Sequence, residues 1–497
     1  MTLFTAPVIR EILSEYKPIS TFRQSSSLME WDLEVNMPEA ASSARAFSMG
    51  QLALMRQKAS LGLEHLVARA EKEKELNDAE KGVVRVLRRE IDYYRKVPPS
   101  LLDELQRFAA EASIPWRESR KKSDFQMFKP YLSRIVELKK QEAEKLGYQG
   151  HPYNALLDLY EEGLTVNDLD QIFAVLIPSL KRILAKVDSD HIFPSSHPLE
   201  EITYDPQSMK RVNEGLTLLL GMPEKRFRMD VSTHPFTSSI SSNDVRITTR
   251  YEGRNFKDTM FSVIHECGHA IYELQQDPEL EYTPIEGGVS SGLHESQSRF
   301  WENVVGRSRE FVSLVYQSLK ENLGFLSSYD EEKVYSYFNT VRPSLIRVEA
   351  DELTYNFHIA LRCEIEKKLM SGDLSVSDVP SVWDDMMEDY LGTRPSKDSE
   401  GVLQDVHWSG GAWAVFPGYT LGNVISGMIW GIMSNDGLIG GKLNETKLEE
   451  LKDWLRERIH RYGSTYPPKE LLRRVFGKGY DPRGLVEYLE DKYLSAN

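Results

Sequence analysis

Apolar residues recur three and four positions apart through most of the first 186 residues. Ile9, Ile12, Leu13 and Tyr16 form one such stripe, and the pattern continues through residues 51–70, 77–96, 101–112, 128–146 and 166–187. This spacing places apolar side chains on one face of a helix. We therefore predict an almost entirely helical first third, with a boundary at residues 98–99, where two prolines stand, and a structured loop at residues 31–38.

The pattern changes between residues 226 and 251. Residues 226–232 and 245–251 alternate between polar and apolar side chains and are rich in β-branched residues, which is typical of strands. The serine-rich residues 238–243 between them are interpreted as a turn. We predict a small antiparallel β-sheet here, and residues 188–210 are interpreted as a connection before it.

Helical spacing resumes after the sheet and continues to the end of the chain. The predicted helices span residues 255–278, 293–323, 330–341, 343–371, 379–391, 419–433, 445–460 and 485–494. The fold class is therefore mainly α. Because the chain shows no repeat and no low-complexity linker, we interpret residues 1–497 as a single unit with helical lobes.

Residues 408–435 contain no charged side chain and resemble a membrane span in composition. Pro417, Asn423 and several glycines interrupt the stretch, whereas a span needs about 20 predominantly apolar residues. A buried helix of a large globular protein explains the stretch better. We expect no membrane partner.

Composition narrows the function classes. The net charge is −15 and the pI is about 5.4, which disfavours nucleic-acid binding because that needs a basic surface. Two cysteines, Cys267 and Cys363, cannot form a disulfide framework. Residues 1–7 lack the basic and apolar regions of a signal peptide, so we expect a cytoplasmic location.

The predicted helix 255–278 contains the sequence His265-Glu266-Cys267-Gly268-His269. Residues four apart lie on the same helix face, so the two imidazoles can bind one metal ion. Glu266 lies beside them, within reach of the water that such a metal activates. Cys267 points away and is interpreted as a small buried residue. Gly268 costs about 1 kcal/mol in a helix interior, and close approach of another element would explain its presence.

A third ligand is expected from the predicted helix 293–323, which Ser290 or Ser291 can cap. Glu295 in its first turn would complete two-histidine, one-glutamate ligation and leave a fourth position open for water. His294 is the rival ligand. We favour Glu295, because a carboxylate from a separate helix is a common third ligand, and expect His294 to support the ligands or to contact substrate.

With these residues in place, the chain resembles the carboxypeptidase Taq family of metallocarboxypeptidases. The resemblance covers nearly the whole sequence and rests on five blocks in family order, together with residues 31–38 and 417–422. Residues 409–414 and Gly418 depart from the family pattern, which leaves substrate preference open. The five blocks are residues 244–248, 265–269, 294–297, 346–351 and 401–408.

The resemblance implies a two-lobed helical zincin fold around a deep groove, with the small sheet beside the active site. It also implies a homodimer that removes single residues from the free C-terminus of peptides with broad specificity. The metal implied is zinc, for which cobalt can substitute. His265, His269 and Glu295 would bind it, and Glu266 would act as the general base.

The same blocks suggest how a substrate carboxylate is recognised. A guanidinium can bind a carboxylate through two hydrogen bonds, and Arg347 is our main candidate, with Arg246 as a helper. Either arginine can instead form only a structural pair, for example with Asp351 or Asp244.

His407 and Tyr419 are candidate donors to the oxyanion of the transition state. Structural roles remain open for both, because a buried histidine or tyrosine needs a partner in any case. Asp405 is expected to orient His407 or a zinc-ligand imidazole, and His234 is a further candidate for the border of the groove.

Two other functions fit parts of the sequence. An endo-oligopeptidase of the same helical zincin architecture would share the metal and the base, but would also cleave peptides whose C-terminus is amidated. A catalytically silent, peptide-binding scaffold would leave the four residues of the metal site unexplained.

Overall fold

The structure, a computed structural model, describes residues 2–495 and is mainly helical, as predicted. Its α-helices in chain order are α1 (Pro7–Val35), α2 (Ser42–Gly62), α3 (Glu64–Ala70), α4 (Asp78–Lys96), α5 (Pro99–Lys122), α6 (Phe125–Leu146), α7 (Tyr153–Tyr160), α8 (Val166–Asp190), α9 (Pro206–Leu219), α10 (Phe256–Leu274), α11 (Ser291–Arg299), α12 (Arg309–Asn322), α13 (Glu331–Phe338), α14 (Tyr355–Ser371), α15 (Val379–Leu391), α16 (Phe416–Asn435), α17 (Glu445–Arg458), α18 (Pro468–Phe476) and α19 (Arg483–Leu494).

Three strands form one mixed sheet: β1 (Phe227–Val231), β2 (Thr237–Ser241) and β3 (Asp244–Thr249). The spatial order is β1-β3-β2, with β3 parallel to β1 and antiparallel to β2. The predicted antiparallel pairing of residues 226–232 with residues 245–251 is therefore wrong, because the strands formed there, β1 and β3, are parallel. Residues 238–243, predicted as a turn, mostly belong to β2. Because β2 runs back along the sheet, β1 and β3 point in the same direction.

Several helix boundaries differ from those predicted. Helix α1 continues to Val35, so the predicted loop at residues 31–38 begins only at Asn36; Trp31 is buried and extends the packed face of the helix. The predicted helix 293–323 is interrupted by a π-helical turn, Phe300–Val305. The predicted helix 343–371 begins only at Tyr355, and α18 was not predicted.

The chain folds into two compact units, each assembled from three separate segments of the sequence. The first unit contains residues 1–94, 197–338 and 432–479, and the second contains residues 95–196, 339–431 and 480–497. Each unit has a buried apolar interior: Ile9, Ile12 and Ile91 lie in the first, and Leu132 and Leu180 in the second. That the whole chain works as one catalytic unit stays a prediction.

The uncharged stretch belongs largely to α16, whose apolar side chains are mostly buried. Gly427 of α16 lies directly against the backbone of α19, where the main chain of Gly484 and Leu485 leaves no space for a side chain. Among the described helices, none is long and apolar enough to cross a bilayer.

Candidate metal centre

Helix α10 carries the histidine pair on a face that meets α11. The rings of His265 and His269 lie edge to face with centroids 4.9 Å apart, as their spacing of four residues predicts. Cys267 on another face is fully buried, as predicted.

Helix α11 approaches α10 closely enough to place Glu295 opposite the two histidines. The Ser290 side chain caps α11 by accepting from the backbone N–H of Leu293 at 3.2 Å. A Cβ added at Gly268 would lie 2.6 Å from the Cα of Ser298. Only glycine fits this contact between backbones, which explains a residue that is otherwise unfavourable in a helix.

His265, His269 and Glu295 offer three ligand atoms that all lie within 4.8 Å of one another. Glu295 Oε2 is 3.8 Å from His265 Nε2 and 3.5 Å from His269 Nε2. Two ligands of a tetrahedral zinc ion with bonds of 2.0–2.2 Å stand about 3.3–3.5 Å apart. The donor types therefore fit a small divalent cation, and the carboxylate lies at or slightly beyond the expected separation from each imidazole.

The outward nitrogen of each histidine has its own partner. His265 Nδ1 lies 2.9 Å from Glu302 Oε2, and His269 Nδ1 lies 2.6 Å from His294 Nδ1. Both Nε2 atoms are thereby left facing Glu295. His294 lies behind His269 rather than in the ligand cluster, with its Nε2 2.8 Å from Glu273 Oε1.

The ionisation of Glu295 and His269 suits metal binding, whereas burial lowers the pKa of His265 but Glu295 and Glu302 outweigh that effect and raise it. Burial raises the pKa of the Glu295 carboxyl, but Arg299 and the two histidines outweigh that effect and hold the pKa well below its usual range. Burial lowers the pKa of His269 to about 4. A carboxylate and a neutral imidazole are the forms in which these side chains bind a metal.

Glu266 points to the edge strand of the sheet. Its Oε2 accepts from the Thr237 hydroxyl on β2 at 2.6 Å. Burial raises the pKa of Glu266, and the hydrogen bond from Thr237 only partly opposes this. A carboxylate with a raised pKa is a better proton acceptor at neutral pH. Thr237 was missed because nothing in the local pattern marks it.

A second cluster lies in the second unit, around Asp405. Arg347 donates from Nε and Nη2 to Asp405 Oδ1 at 3.0 and 2.8 Å, and Arg362 donates from Nε to Oδ2 at 2.6 Å. Arg347 Nη1 also donates to the Tyr355 hydroxyl at 3.0 Å. One carboxylate therefore serves two guanidinium groups, which leaves one positive charge in excess. Arg347 pairs with Asp405 and not with Asp351, the partner considered from the sequence.

His407 and Tyr419 belong to this second cluster. His407 Nδ1 is 3.8 Å from Asp405 Oδ1, and its Nε2 is 3.4 Å from the Tyr419 hydroxyl. Burial lowers the pKa of His407 to about 4, although Asp405 acts in the opposite direction. His407 is therefore a neutral imidazole at pH 7.

Arg246 lies in the first unit on β3 and is held by its neighbours. It makes two hydrogen bonds of 2.8 Å to the Asp244 carboxylate, and its guanidinium lies 4.3 Å from the centre of the Trp31 ring. This is the structural pair considered from the sequence. His234 is exposed, and its carbonyl accepts from Ser232.

The predicted site residues thus form two groups. The first unit brings together His265, Glu266, His269 and Glu295, with Arg246 on the sheet. The second unit brings together Arg347, His407 and Tyr419. Sequence reasoning missed Glu273 and Glu302. Glu273 lies at helical spacing from a candidate ligand, four residues after His269, whereas Glu302 stands in the π-helical turn, where that spacing does not hold.

Comparison with known proteins gives a consistent family. The family model of the carboxypeptidase Taq (M32) metallopeptidases matches residues 11–493. The chain is 46% identical over 496 residues to thermostable carboxypeptidase 1 of Pyrococcus furiosus, with 99% of both chains covered. It is 36% identical over 499 residues to carboxypeptidase 1 of Bacillus subtilis, with 97% of both covered.

Solved structures agree with this result. A Pyrococcus furiosus carboxypeptidase, described as apo-Mg, superposes with a TM-score of 0.95 at 45% identity, covering 99% of this chain and 100% of that one. Metallocarboxypeptidase 1 of Trypanosoma cruzi gives a TM-score of 0.92 at 31% identity, covering 98% and 99%. The chain therefore belongs to the carboxypeptidase Taq (M32) metallopeptidase family and is a metallocarboxypeptidase, a hydrolase of peptides that uses a divalent metal.

Proposed function

We propose that the protein releases single amino acids from the free C-terminus of peptides, with broad specificity and with zinc as its metal. The observation that carries this proposal is the convergence of His265, His269 and Glu295 on one point, with Glu266 next to a ligand on the same helix. Two imidazoles and one carboxylate form a donor set that zinc prefers, and they leave a coordination position open. Cobalt is expected to substitute.

Zinc, when bound, supplies Lewis-acid activation of the attacking water and of the scissile carbonyl. Glu266 takes the proton from that water and later delivers it to the leaving amine. Its burial and the Thr237 hydroxyl hold the carboxylate in one orientation, and its raised pKa strengthens it as a base.

Recognition of the free C-terminus is assigned to Arg347. Its side chain is 9% exposed and lies in a cluster where two arginines share one aspartate. The positive charge in excess favours a carboxylate from the substrate. Arg246 donates from Nε and Nη2 to the two oxygens of Asp244, and it has the smaller role of helping to close the groove beyond the last residue of the substrate.

His407 and Tyr419 are proposed to donate to the developing oxyanion. A neutral imidazole and a phenol each carry one proton to donate without adding a full charge. Asp405 Oδ1 lies 3.8 Å from His407 Nδ1, which is beyond hydrogen-bond distance, so its proposed influence on that ring is electrostatic and leaves the proton available at Nε2.

A homodimer and a cytoplasmic location complete the proposal. The described cysteines, Cys267 and Cys363, are free buried thiols, which fits a reducing compartment. Sedimentation of the purified protein gives the oligomeric state.

The test is mass spectrometry of one short peptide, prepared with a free C-terminus and with an amide. Each is incubated with enzyme, with enzyme plus chelator, and with zinc or cobalt restored. We expect stepwise loss of C-terminal residues from the free acid alone and only with metal. Internal cleavage of both peptides would instead identify an endo-oligopeptidase and remove Arg347 from its role.

A further inference from the structure

The two histidines of the metal centre are supported in different ways. His265 contacts the Glu302 carboxylate directly, at 2.9 Å. His269 contacts no carboxylate through its outward nitrogen, because the His294 ring stands there at 2.6 Å. His294 in turn lies 2.8 Å from Glu273. His269 is therefore linked to a carboxylate only through the His294 ring, whereas His265 contacts its carboxylate directly.

The backbone of residue 287 fixes which atoms donate in the series of hydrogen bonds that links Gln276, Glu273, His294 and His269. The backbone N–H of Gly287 can only donate, and it lies 2.8 Å from Gln276 Oε1. This contact fixes the orientation of the Gln276 amide, so its Nε2 donates to Glu273 Oε2 at 2.9 Å. The backbone N–H of Gly288 donates to Glu273 Oε1 at 3.3 Å. Glu273 is thus an acceptor at both oxygens.

The remaining protons follow from that assignment. Because Glu273 accepts, a neutral His294 carries its proton on Nε2 and presents a lone pair at Nδ1. His269 then donates from Nδ1, and its own lone pair lies on Nε2. That lone pair faces Glu295 Oε2, 3.5 Å away, at the point where the three ligand atoms converge.

We propose that Glu273 and His294 are positioning residues that act in series to hold His269 in its metal-binding tautomer. The proposal rests on the proposed ligand set, His265, His269 and Glu295. Without Glu273, His294 can carry its proton on Nδ1, which would then oppose the Nδ1 proton of His269. The other tautomer of His269 relieves that conflict by placing its proton on Nε2, where a metal cannot bind.

The loop that precedes α11 restricts the position of His294 between Glu273 and His269. A Cβ added at Gly288 would lie 2.5 Å from His294 Cδ2, so the loop backbone packs directly against the imidazole. On another side, the Tyr272 ring stands between His294 and His460, with centroids 5.4 and 4.8 Å away. His294 therefore has little freedom to leave the position between His269 and Glu273.

His460 offers a matched control. It is fully buried against the same tyrosine, and its two nitrogens contact the side-chain oxygens of Gln275 and Gln297, both at 2.7 Å. Replacing it removes a buried imidazole and its hydrogen bonds from the same core. Unlike His294, however, it makes no hydrogen bond to a metal ligand.

The test measures zinc affinity and zinc release by competition with a chromophoric chelator, with no substrate present. Removing the partner of a metal-ligating histidine weakens metal binding by about 10- to 100-fold, and His294→Phe should show this loss. His294→Gln keeps one acceptor and one donor, so its zinc affinity should remain closer to that of the parent. Glu273→Leu removes the acceptor for His294 and should weaken binding in the same direction, and His460→Phe should leave the affinity unchanged.

Failure of the positioning proposal and failure of the proposed function give different results in this experiment. Unchanged zinc affinity in His294→Phe or in Glu273→Leu would overturn the positioning proposal, as would equal weakening by His460→Phe. If His294→Phe does not fold, the comparison of Glu273→Leu with His460→Phe decides. Failure of the unmodified protein to bind zinc would instead contradict the proposed function.

Discussion

The two clusters that contain the predicted site residues have opposite charge. In the first unit, carboxylates surround two imidazoles: Glu266, Glu273, Glu295 and Glu302 all lie at or behind the histidine pair. In the second unit, the single carboxylate of Asp405 pairs with two guanidinium groups. The first arrangement suits a cation and the second an anion. A metallocarboxypeptidase needs both, since it must bind a metal and recognise a free carboxylate.

The largest effect should come from Glu266, the proposed base of the first cluster. Glu266→Gln keeps an oxygen that can accept from Thr237 but cannot take a proton from water. We expect kcat to fall by about 10²–10⁴-fold, the usual contribution of general acid–base catalysis, with the zinc content unchanged. A fall in zinc content would show that Glu266 is a ligand and not the base.

A large effect on stability should come from the shared carboxylate of the second cluster. Removing one member of a buried ion pair leaves an unpaired charge and costs about 3–5 kcal/mol. Asp405→Asn should therefore lower the free energy of unfolding in urea by about that amount. The control is Asp385→Asn, since Asp385 pairs with Arg394 at the surface and exposed pairs contribute about 0–1 kcal/mol.

The loss of stability caused by Asp405→Asn should become smaller at low pH. Burial raises the pKa of Asp405, but Arg362 and Arg347 together hold it well below its usual range. A lowered pKa contributes stability above the unfolded value of about 3.9, and that stability is lost as the pH falls through the folded value. The difference between Asp405→Asn and the parent should shrink below about pH 4. A difference that persists unchanged in acid would contradict the ion-pair explanation.

Arg347 tests whether the second cluster recognises the substrate. Loss of a hydrogen bond to a charged group costs about 1.5–3 kcal/mol. Arg347→Met should therefore lower kcat/KM for a free-acid peptide by about 10- to 100-fold, while Arg362 still pairs with Asp405. Any residual cleavage of the amidated peptide should stay unchanged. Arg246→Met should have a smaller effect, and equal losses on both peptides would indicate a structural role.

The smallest effect concerns the contact between α10 and α11. Gly268→Ala adds a methyl group where the backbone of Ser298 stands 2.6 Å away, and overpacking costs about 1–3 kcal/mol. Gly431→Ala is the matched control, because no atom lies within 4 Å of its added Cβ in α16. Gly431→Ala should stabilise the helix by up to about 1 kcal/mol. Thermal unfolding of the two variants distinguishes these expectations.

The metal centre was more predictable than the sheet beside it. The proposed ligands come from two regular helices, where spacings of three and four residues place side chains on one face. The same rule reaches Glu273, four residues after His269, but not Glu302, because Glu302 stands in the π-helical turn. Strand β2, in contrast, is Thr-Ser-Ser-Ile-Ser and is half-buried throughout. Its polar residues resemble a turn, and only the neighbouring strand and helices identify it.

The second cluster could be predicted only in part. Arg347 stands on a short 3₁₀ turn and Asp405 in a loop, so no periodic pattern relates them. Their pairing across 58 residues depends on tertiary structure alone. The family resemblance drew attention to both residues, but it did not predict that Arg362 would share the same carboxylate.

The most direct test of the ligand set is zinc stoichiometry by elemental analysis after equilibrium dialysis. The samples are the unmodified protein, Glu266→Gln and Glu295→Ala. We predict one zinc per chain in the first two and a loss of bound zinc in Glu295→Ala, because only His265 and His269 remain as ligands. Full zinc content in Glu295→Ala would contradict the account and would make His294 the third ligand.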